Sequence, residues 1–296
     1  MTGSDISTPQ PGVYPDMSFA DYLAADAVSV SALGTLLDSF PARLLHQRPS
    51  TAVMEDGRIA HRLVLEGVDD IADSAQYVVT PKGFSMSHVQ KHAELIELIQ
   101  STGASPISEE RAEAIRGMHA ALKADPDVMR ALSNGRPEVS VFWREPKHGL
   151  LCRARFDWMP NKGSLFPDYK TAASIDDGPL SRSIATYRVA HRSAWYEDAA
   201  RFGLGRDDPD KPPLYLPIWQ EKVAPYFVVM KPCEPQDIEL ARLELDHALG
   251  IYANCKATGV WPGPQHYRPI ALPHWERRRL TYEFTDNAQA SGWSEA

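Results

Sequence analysis

Cysteine is scarce in this chain, and what there is forms no pattern. Cys152, Cys233 and Cys255 stand far apart with no CxxC pair, which argues against a disulfide scaffold, a zinc ribbon or an iron–sulfur cluster and for reduced thiols. Long hydrophobic runs are also missing. No apolar stretch approaches the roughly 20 residues of a membrane span, and the opening MTGSDISTPQPG lacks the basic and apolar regions of a secretory signal. The expectation is a soluble, cytoplasmic protein with no membrane partner. A surplus of positive charge is absent as well: 31 Lys and Arg against 39 Asp and Glu leave a net charge of −8. That excludes a generic nucleic-acid coat. It does not exclude an enzyme with a local basic groove, in which metal-binding carboxylates add negative charge of their own. There is no internal repeat and no low-complexity tract.

What is present is an ordinary globular composition, 43% hydrophobic and 24% charged over 296 residues, enough for one large domain or two small ones. Residues 1–15 are polar and carry Pro9, Pro11 and Pro15, so they read as a disordered arm. Two short helices follow, with Ser18 and Ser31 as N-caps and a further turn opened by Pro41. Residues 51–67 have helical spacing that ends at Gly67, and QYVVT at 76–80 reads as a strand. Helices are expected over 87–103 and over 108–124, the second opened by Ser108, Glu109 and Glu110.

A β region starts at EVSVFWRE, turns at Lys147-His148-Gly149 and runs on through the next strands. A helix over 182–203 carries Arg188, Arg192 and Tyr196 at four-residue steps, and so along one side. LYLPIWQEK and PYFVVMK are strands linked tightly around Val223 to Pro225, and a helix runs from Pro235 to Thr258. The order predicts an α/β or α+β fold, a sheet flanked by helices with a helical N-terminal region. Residues 16–280 form one domain in this reading, and 281–296 a C-terminal tail.

The chemistry concentrates in CRARFDWMPNKGSLFPDYKT, residues 152–171. Two strands joined by the polar turn Asn161-Lys162-Gly163 place Arg153, Arg155 and Asp157 on one face of the first, and Phe166, Asp168 and Lys170 on one face of the second. Hydrolysis of a phosphodiester with Mg²⁺ or Mn²⁺ needs hard oxygen ligands, a cation beside the attacking water and open coordination positions. Asp157 and Asp168 with Lys170 supply the first two. A D-x-K pattern is common by chance, and an ion pair between neighbouring strands is the plainer reading of it. The apolar setting of Phe156, Trp158, Leu165 and Phe166 favours function, because charges embedded in such runs are usually functional or paired.

These residues carry a resemblance to the RecE-type exonucleases, the exodeoxyribonuclease VIII family of phage and prophage within the PD-(D/E)xK nuclease superfamily. It extends from about Tyr22 to Trp275. GRIAHRLVLEG resembles that family's Gly-x-x-x-His-x-x-x-Leu-Glu helix; CRARFDW and PDYKTA resemble its two core strands; RSAWYEDA resembles its Gln-containing helix; and PIWQEKVAPYFVVM resembles the strands beyond.

The resemblance implies a PD-(D/E)xK nuclease-like mixed central sheet flanked by helices. It implies that His61, Asp157, Asp168 and the carbonyl of Tyr169 hold Mg²⁺ or Mn²⁺, two ions per site. Lys170 would activate the water, and Arg192 and Tyr196 would complete the catalytic set. The activity implied is digestion of linear double-stranded DNA from its ends, 5′ to 3′, leaving 3′ single strands for recombination. The implied partners are DNA ends, a single-strand annealing protein and further copies of the same chain, in the host cytoplasm if phage-encoded. A Cas4-like or structure-specific endonuclease is a second reading, although four clustered cysteines are missing; a catalytically silent DNA-binding scaffold is a third.

Two positions depart from the pattern. Arg192 stands where the family has glutamine, which puts water positioning in doubt while retaining phosphate contact. Pro167 stands before the ligand Asp168, so the strand should have a bulge or a free side there. Arg153, Arg155, Arg182, Arg188 and the run Arg277-Arg278-Arg279 are candidates for guiding DNA, each with an ion-paired or solvated role as its plainer reading.

Overall fold

The computed structural model describes residues 9–46, 77–265 and 269–286. The chain divides into two compact units, Met1–Trp261 and Pro262–Ala296.

The first unit opens with β1 (Gly12–Tyr14), α1 (Phe19–Ala24), α2 (Val30–Asp38) and a 3-10 turn, Pro41–Leu45. The strand in β1 lies within the stretch expected to be a disordered arm; it pairs antiparallel with β4 below. Ser18 caps α1 by accepting from Asp21 N–H, as expected. The cap of α2 is Ser29, not Ser31, because Ser29 has the extended backbone that lets its hydroxyl accept from Ala32 N–H.

After β2 (Tyr77–Thr80) come α3 (Ala93–Thr102), β3 (Ser105–Ser108), α4 (Glu109–Ala124) and α5 (Pro126–Ala131). The helix expected over 87–103 starts only at Ala93. β3, which the sequence reading did not anticipate, pairs parallel with β2.

The rest of this unit runs β4 (Gly135–Arg144), β5 (Leu151–Pro160), β6 (Leu165–Ala172), α6 (Asp177–Thr186), α7 (Val189–Asp198), a π turn (Ala199–Gly203), β7 (Leu214–Glu221), β8 (Val228–Met230) and α8 (Pro235–Thr258). β1, β4 and β5 form an antiparallel ladder. β6 and β7 are parallel, with β8 antiparallel on the far side of β7. The architecture is thus mixed α/β with helices on the sheet faces, as predicted.

Alternation along the strands assigns the faces. Val139, Val141, Trp143, Cys152, Ala154, Phe156, Phe166, Tyr215 and Trp219 are buried together with residues of α2, α7 and α8 in the main core. On the opposite face, Tyr169 of β6 and Ile218 of β7 pack with Met118 and Leu122 of α4. Phe142 and Leu151 pack with Tyr22 of α1.

The helix expected over 182–203 is two helices. Arg188 takes a left-handed φ of 52° between them, an uncommon state for a residue with a Cβ. Its guanidinium is held by Asp38 at 2.5 Å and Glu244 at 3.4 Å. The break turns Arg188 away from the side that carries Arg192 and Tyr196. At the other end of α7, the π turn brings Gly203 so close to β4 that a Cβ there would stand 2.5 Å from Val141. α8 has the expected limits, with Pro235 in its first turn and Gly259 left-handed just beyond its end.

In the second unit, α9 (His274–Thr281) is followed by a π turn, Tyr282–Asp286. Arg279 of the basic run is paired with Glu276 and Glu283. Among the described residues no helix is long and apolar enough to cross a membrane.

Candidate active site

Asp157, Asp168, Tyr169, Lys170, Arg192 and Tyr196 come together where β5, β6 and α7 meet; His61 and Glu66 lie outside the described residues. β5 and β6 are not joined by a backbone ladder. Their link is a side chain: Asp157 Oδ2 accepts the backbone N–H of Tyr169 at 3.1 Å. The two carboxylates therefore meet by different routes. Asp168 stands on the face of β6 that looks into the main core, with Phe166 on one side and Lys170 on the other. Asp157 shares its alternation with Arg153 and Arg155 and reaches across the seam to the edge of β6.

Pro167 resolves into the second of its two expected options. The β6–β7 register runs without a bulge from Leu165↔Leu214 to Ala172↔Glu221. Backbone N–H groups alternate in direction along a strand, so Pro167 points the same way as Tyr169, toward β5. No ladder bond exists on that side, and the missing N–H costs nothing. The carbonyl of Tyr169 faces the same seam, next to Asp157.

Opposite Asp157, the β4–β5 ladder passes from Pro137↔Trp158 to Val139↔Phe156, and Glu138 between them has φ 57°. Glu138 holds Arg155 Nε at 2.6 Å, and Arg155 also donates to Met17 O and Ser140 Oγ. Arg153 donates to the carbonyls of Tyr22, Leu23 and Ala25. Both arginines thus fasten the N-terminal segment to β5, the ion-paired and bonded role named as the plainer one.

α7 is pinned over the site by two consecutive aromatics. Trp195 Nε1 donates to the carbonyl of Arg153 at 3.0 Å, and the Tyr196 hydroxyl donates to the carbonyl of Arg155 at 2.8 Å. The Tyr196 ring packs edge-on against Phe156, which in turn meets Phe166. With its hydroxyl donating to β5, Tyr196 orients α7 over the site. The guanidinium of Arg192, one turn earlier, forms no hydrogen bond or ion pair with another described residue. Burial pulls its pKa down, but the nearby Tyr215 and Tyr196 phenols and the Asp168 and Asp157 carboxylates outweigh this and raise it.

Asp168 is 3% exposed. Burial pushes its carboxyl up, yet the charge and hydrogen bonding of Lys170, then Arg192 and Tyr215, bring its pKa below the usual carboxylate range. Lys170 Nζ pairs with Asp168 Oδ2 and lies 5.9 Å from the Tyr215 ring centre. Even so, Asp168 Oδ2 receives no hydrogen bond of regular geometry, and it is buried. Such an oxygen beside a second carboxylate and a backbone carbonyl is a hard donor set of the kind Mg²⁺ and Mn²⁺ take. No group of three or more His, Cys, Asp or Glu side chains able to hold a metal occurs among the described residues; two carboxylates and a carbonyl do fit one.

The sequence reading missed two supporting groups. Gln220, fully buried, accepts from the Tyr169 hydroxyl at 2.6 Å and donates to the carbonyl of Met118 at 2.7 Å, tying the β6 strand to β7 and α4. Tyr215 stands on the face of Asp168, fully buried beside Tyr196. Both lie in the apolar run LYLPIWQ, which reads as core. A cleft of about 540 Å³ lies elsewhere, lined by Trp143, Phe202, Arg242, Leu243 and Asp246 among others, and includes none of the site residues.

Residues 42–265 match the family model described as a PDDEXK-like domain of unknown function (DUF3799), and nucleases of the PD-(D/E)xK type generally use divalent metal ions. Among solved structures, the crystal structure of a "Putative exonuclease" from Eubacterium rectale aligns with a TM-score of 0.57 at 13% identity, covering 87% of this chain and 96% of that one; it shares the fold. A second, SSO0001, aligns with a TM-score of only 0.28 at 13% identity over 68% of this chain and 87% of that one, and carries no argument. No curated protein matches the sequence significantly.

Proposed function

The chain belongs to the PDDEXK-like family, and from that premise we propose that it is a metal-dependent exodeoxyribonuclease. It hydrolyses phosphodiester bonds of linear double-stranded DNA, 5′ to 3′, and leaves 3′ single strands for recombination by an annealing partner, in the manner of RecE-type phage nucleases. It works in the cytoplasm as a homo-oligomer. The observation that carries the nuclease reading is the meeting of Asp157, Asp168 and Lys170 at one seam beneath Arg192, whose guanidinium has no partner among the described residues. The exonuclease designation of the Eubacterium rectale protein agrees in kind. End-directed polarity and the annealing partner rest on the resemblance of the motifs alone.

Asp157, Asp168, the carbonyl of Tyr169 and His61 would hold Mg²⁺ or Mn²⁺, two ions per site. When bound, the ions supply Lewis acidity and lower the pKa of water. Lys170, fixed beside Asp168, orients the attacking water and stabilises the charge that develops on the phosphate. Arg192, partly buried and without a side-chain partner among the described residues, receives a phosphate oxygen, for which a guanidinium is better shaped than the amide it replaces. Low local polarity around Phe156, Phe166 and Tyr215 strengthens each of these attractions.

The test uses purified protein with linear DNA labelled at either 5′ or 3′ ends, and covalently closed circles. Asp168→Ala and Lys170→Ala should each lower Mg²⁺-dependent digestion by at least about a hundredfold, the scale of losing an electrostatic stabiliser, with the circular dichroism spectrum unchanged. Undiminished digestion by either variant rejects the site; cutting of closed circles rejects the exonuclease mode; release from 3′ labels first rejects the polarity.

A further inference from the structure

Tyr215 has a feature that neither its packing nor the proposed chemistry explains. Its ring lies in the main core, next to the register partner Phe166 and on the face that carries Asp168 and Lys170. Its hydroxyl is buried there without a formed hydrogen bond. Phenylalanine would fill the same space without an unmatched polar group, and buried hydroxyls lacking a partner are uncommon and costly. Asp168 shares this face of the sheet, and its Oδ2, although paired with Lys170, is also buried and without a hydrogen bond of regular geometry. The Tyr215 hydroxyl approaches the Asp168 carboxyl closely enough for incipient hydrogen bonding to help hold that carboxyl below its usual range. A donor and an acceptor thus approach each other without forming a hydrogen bond of regular geometry. Tyr196, 5.3 Å away between ring centres, is the contrast: its hydroxyl already has a partner in the carbonyl of Arg155.

We propose that Tyr215 is a positioning residue of the metal site, whose hydroxyl donates to Asp168 once that carboxylate holds the metal. Asp168 is otherwise drawn toward Lys170, and a second donor fixes the orientation in which the carboxylate is presented. The proposal rests on the reading of Asp168 as a metal ligand. It makes an unusual pair of demands: removing the hydroxyl should weaken metal binding and yet leave the metal-free protein no less stable.

Calorimetric titration with Mn²⁺ in the absence of DNA, together with thermal unfolding of the metal-free protein, tests this on the wild type, Tyr215→Phe and Asp168→Ala. Losing a hydrogen bond to a charged group corresponds to roughly a tenfold loss of Mn²⁺ affinity in Tyr215→Phe, with a metal-free Tm equal to or above that of the wild type. An unchanged affinity overturns the proposal, and so does a lowered metal-free Tm, which would make the hydroxyl a structural group of the free protein. Asp168→Ala separates the two ideas. If it abolishes Mn²⁺ binding while Tyr215→Phe leaves it intact, only the role of Tyr215 fails. If the wild type has no Mn²⁺ binding that Asp168→Ala removes, the metal-site reading fails and this proposal with it.

Discussion

Arg192 places a positive charge among the carboxylates of the candidate site. A partly buried guanidinium near two carboxylates, with no hydrogen bond or ion pair to either, adds positive charge at the proposed cation site. Its removal should have opposite effects on two ligands. Arg192→Ala should tighten Mn²⁺ binding severalfold, since a repelling charge is gone. The same change should raise KM for linear DNA by about tenfold or more, the worth of a charge-assisted bond to phosphate. Calorimetry and steady-state digestion read the two separately. Movement of both constants in one direction would contradict the role given to Arg192.

At the scale of elements, α7 is held from both sides, by Trp195 and Tyr196 on β5 and by Arg242 of α8. Arg242 donates to the carbonyl of Ala194 and pairs with Glu197 at 3.2 Å and with Asp198. Burial pushes the Glu197 carboxyl up to about 7, despite Arg242 and Arg201. A carboxyl raised on folding binds its proton more tightly in the folded state. The stability it contributes is complete below its unfolded pKa of roughly 4.3 and is lost as pH rises through about 7. Glu197→Gln should remove that loss. The variant should equal the wild type near pH 4.5 and exceed it at pH 8 by about 3 kcal/mol. Urea unfolding at the two pH values measures this, and a gap of equal size at both would show that titration of Glu197 is not its cause.

At the scale of the molecule, the apolar clusters formed by the described residues lie before Trp261, where the first unit ends. The family match stops close by, at residue 265. A chain ended at Trp261 keeps every residue of the core and of the site. It should unfold cooperatively with a Tm within about 5 °C of the full chain, the shift of roughly 1–2 kcal/mol for a domain of this size. Far-UV circular dichroism against temperature decides it; a broad, non-cooperative loss of structure would show that the second unit is needed for the first to fold.

Much of this was legible in the order of residues. Proline in the first turn marked the start of α8 correctly, and alternation with turn chemistry marked β5 and β6, because these signals are local and period-bound. The identities of Asp157, Asp168, Lys170 and Arg192 as one group were likewise readable as a motif. What alternation could not convey is how the two strands meet. It suggested a shared face, whereas the carboxylate of Asp157 replaces a missing ladder bond at an open seam, an arrangement that also leaves room for Pro167. The break at Arg188 was hidden for a similar reason: its left-handed backbone is held by Asp38 and Glu244, far away in sequence. Tyr215 and Gln220 were hidden most completely. An aromatic or an amide in an apolar strand reads as core, and only packing in three dimensions determines whether its polar atom has a partner.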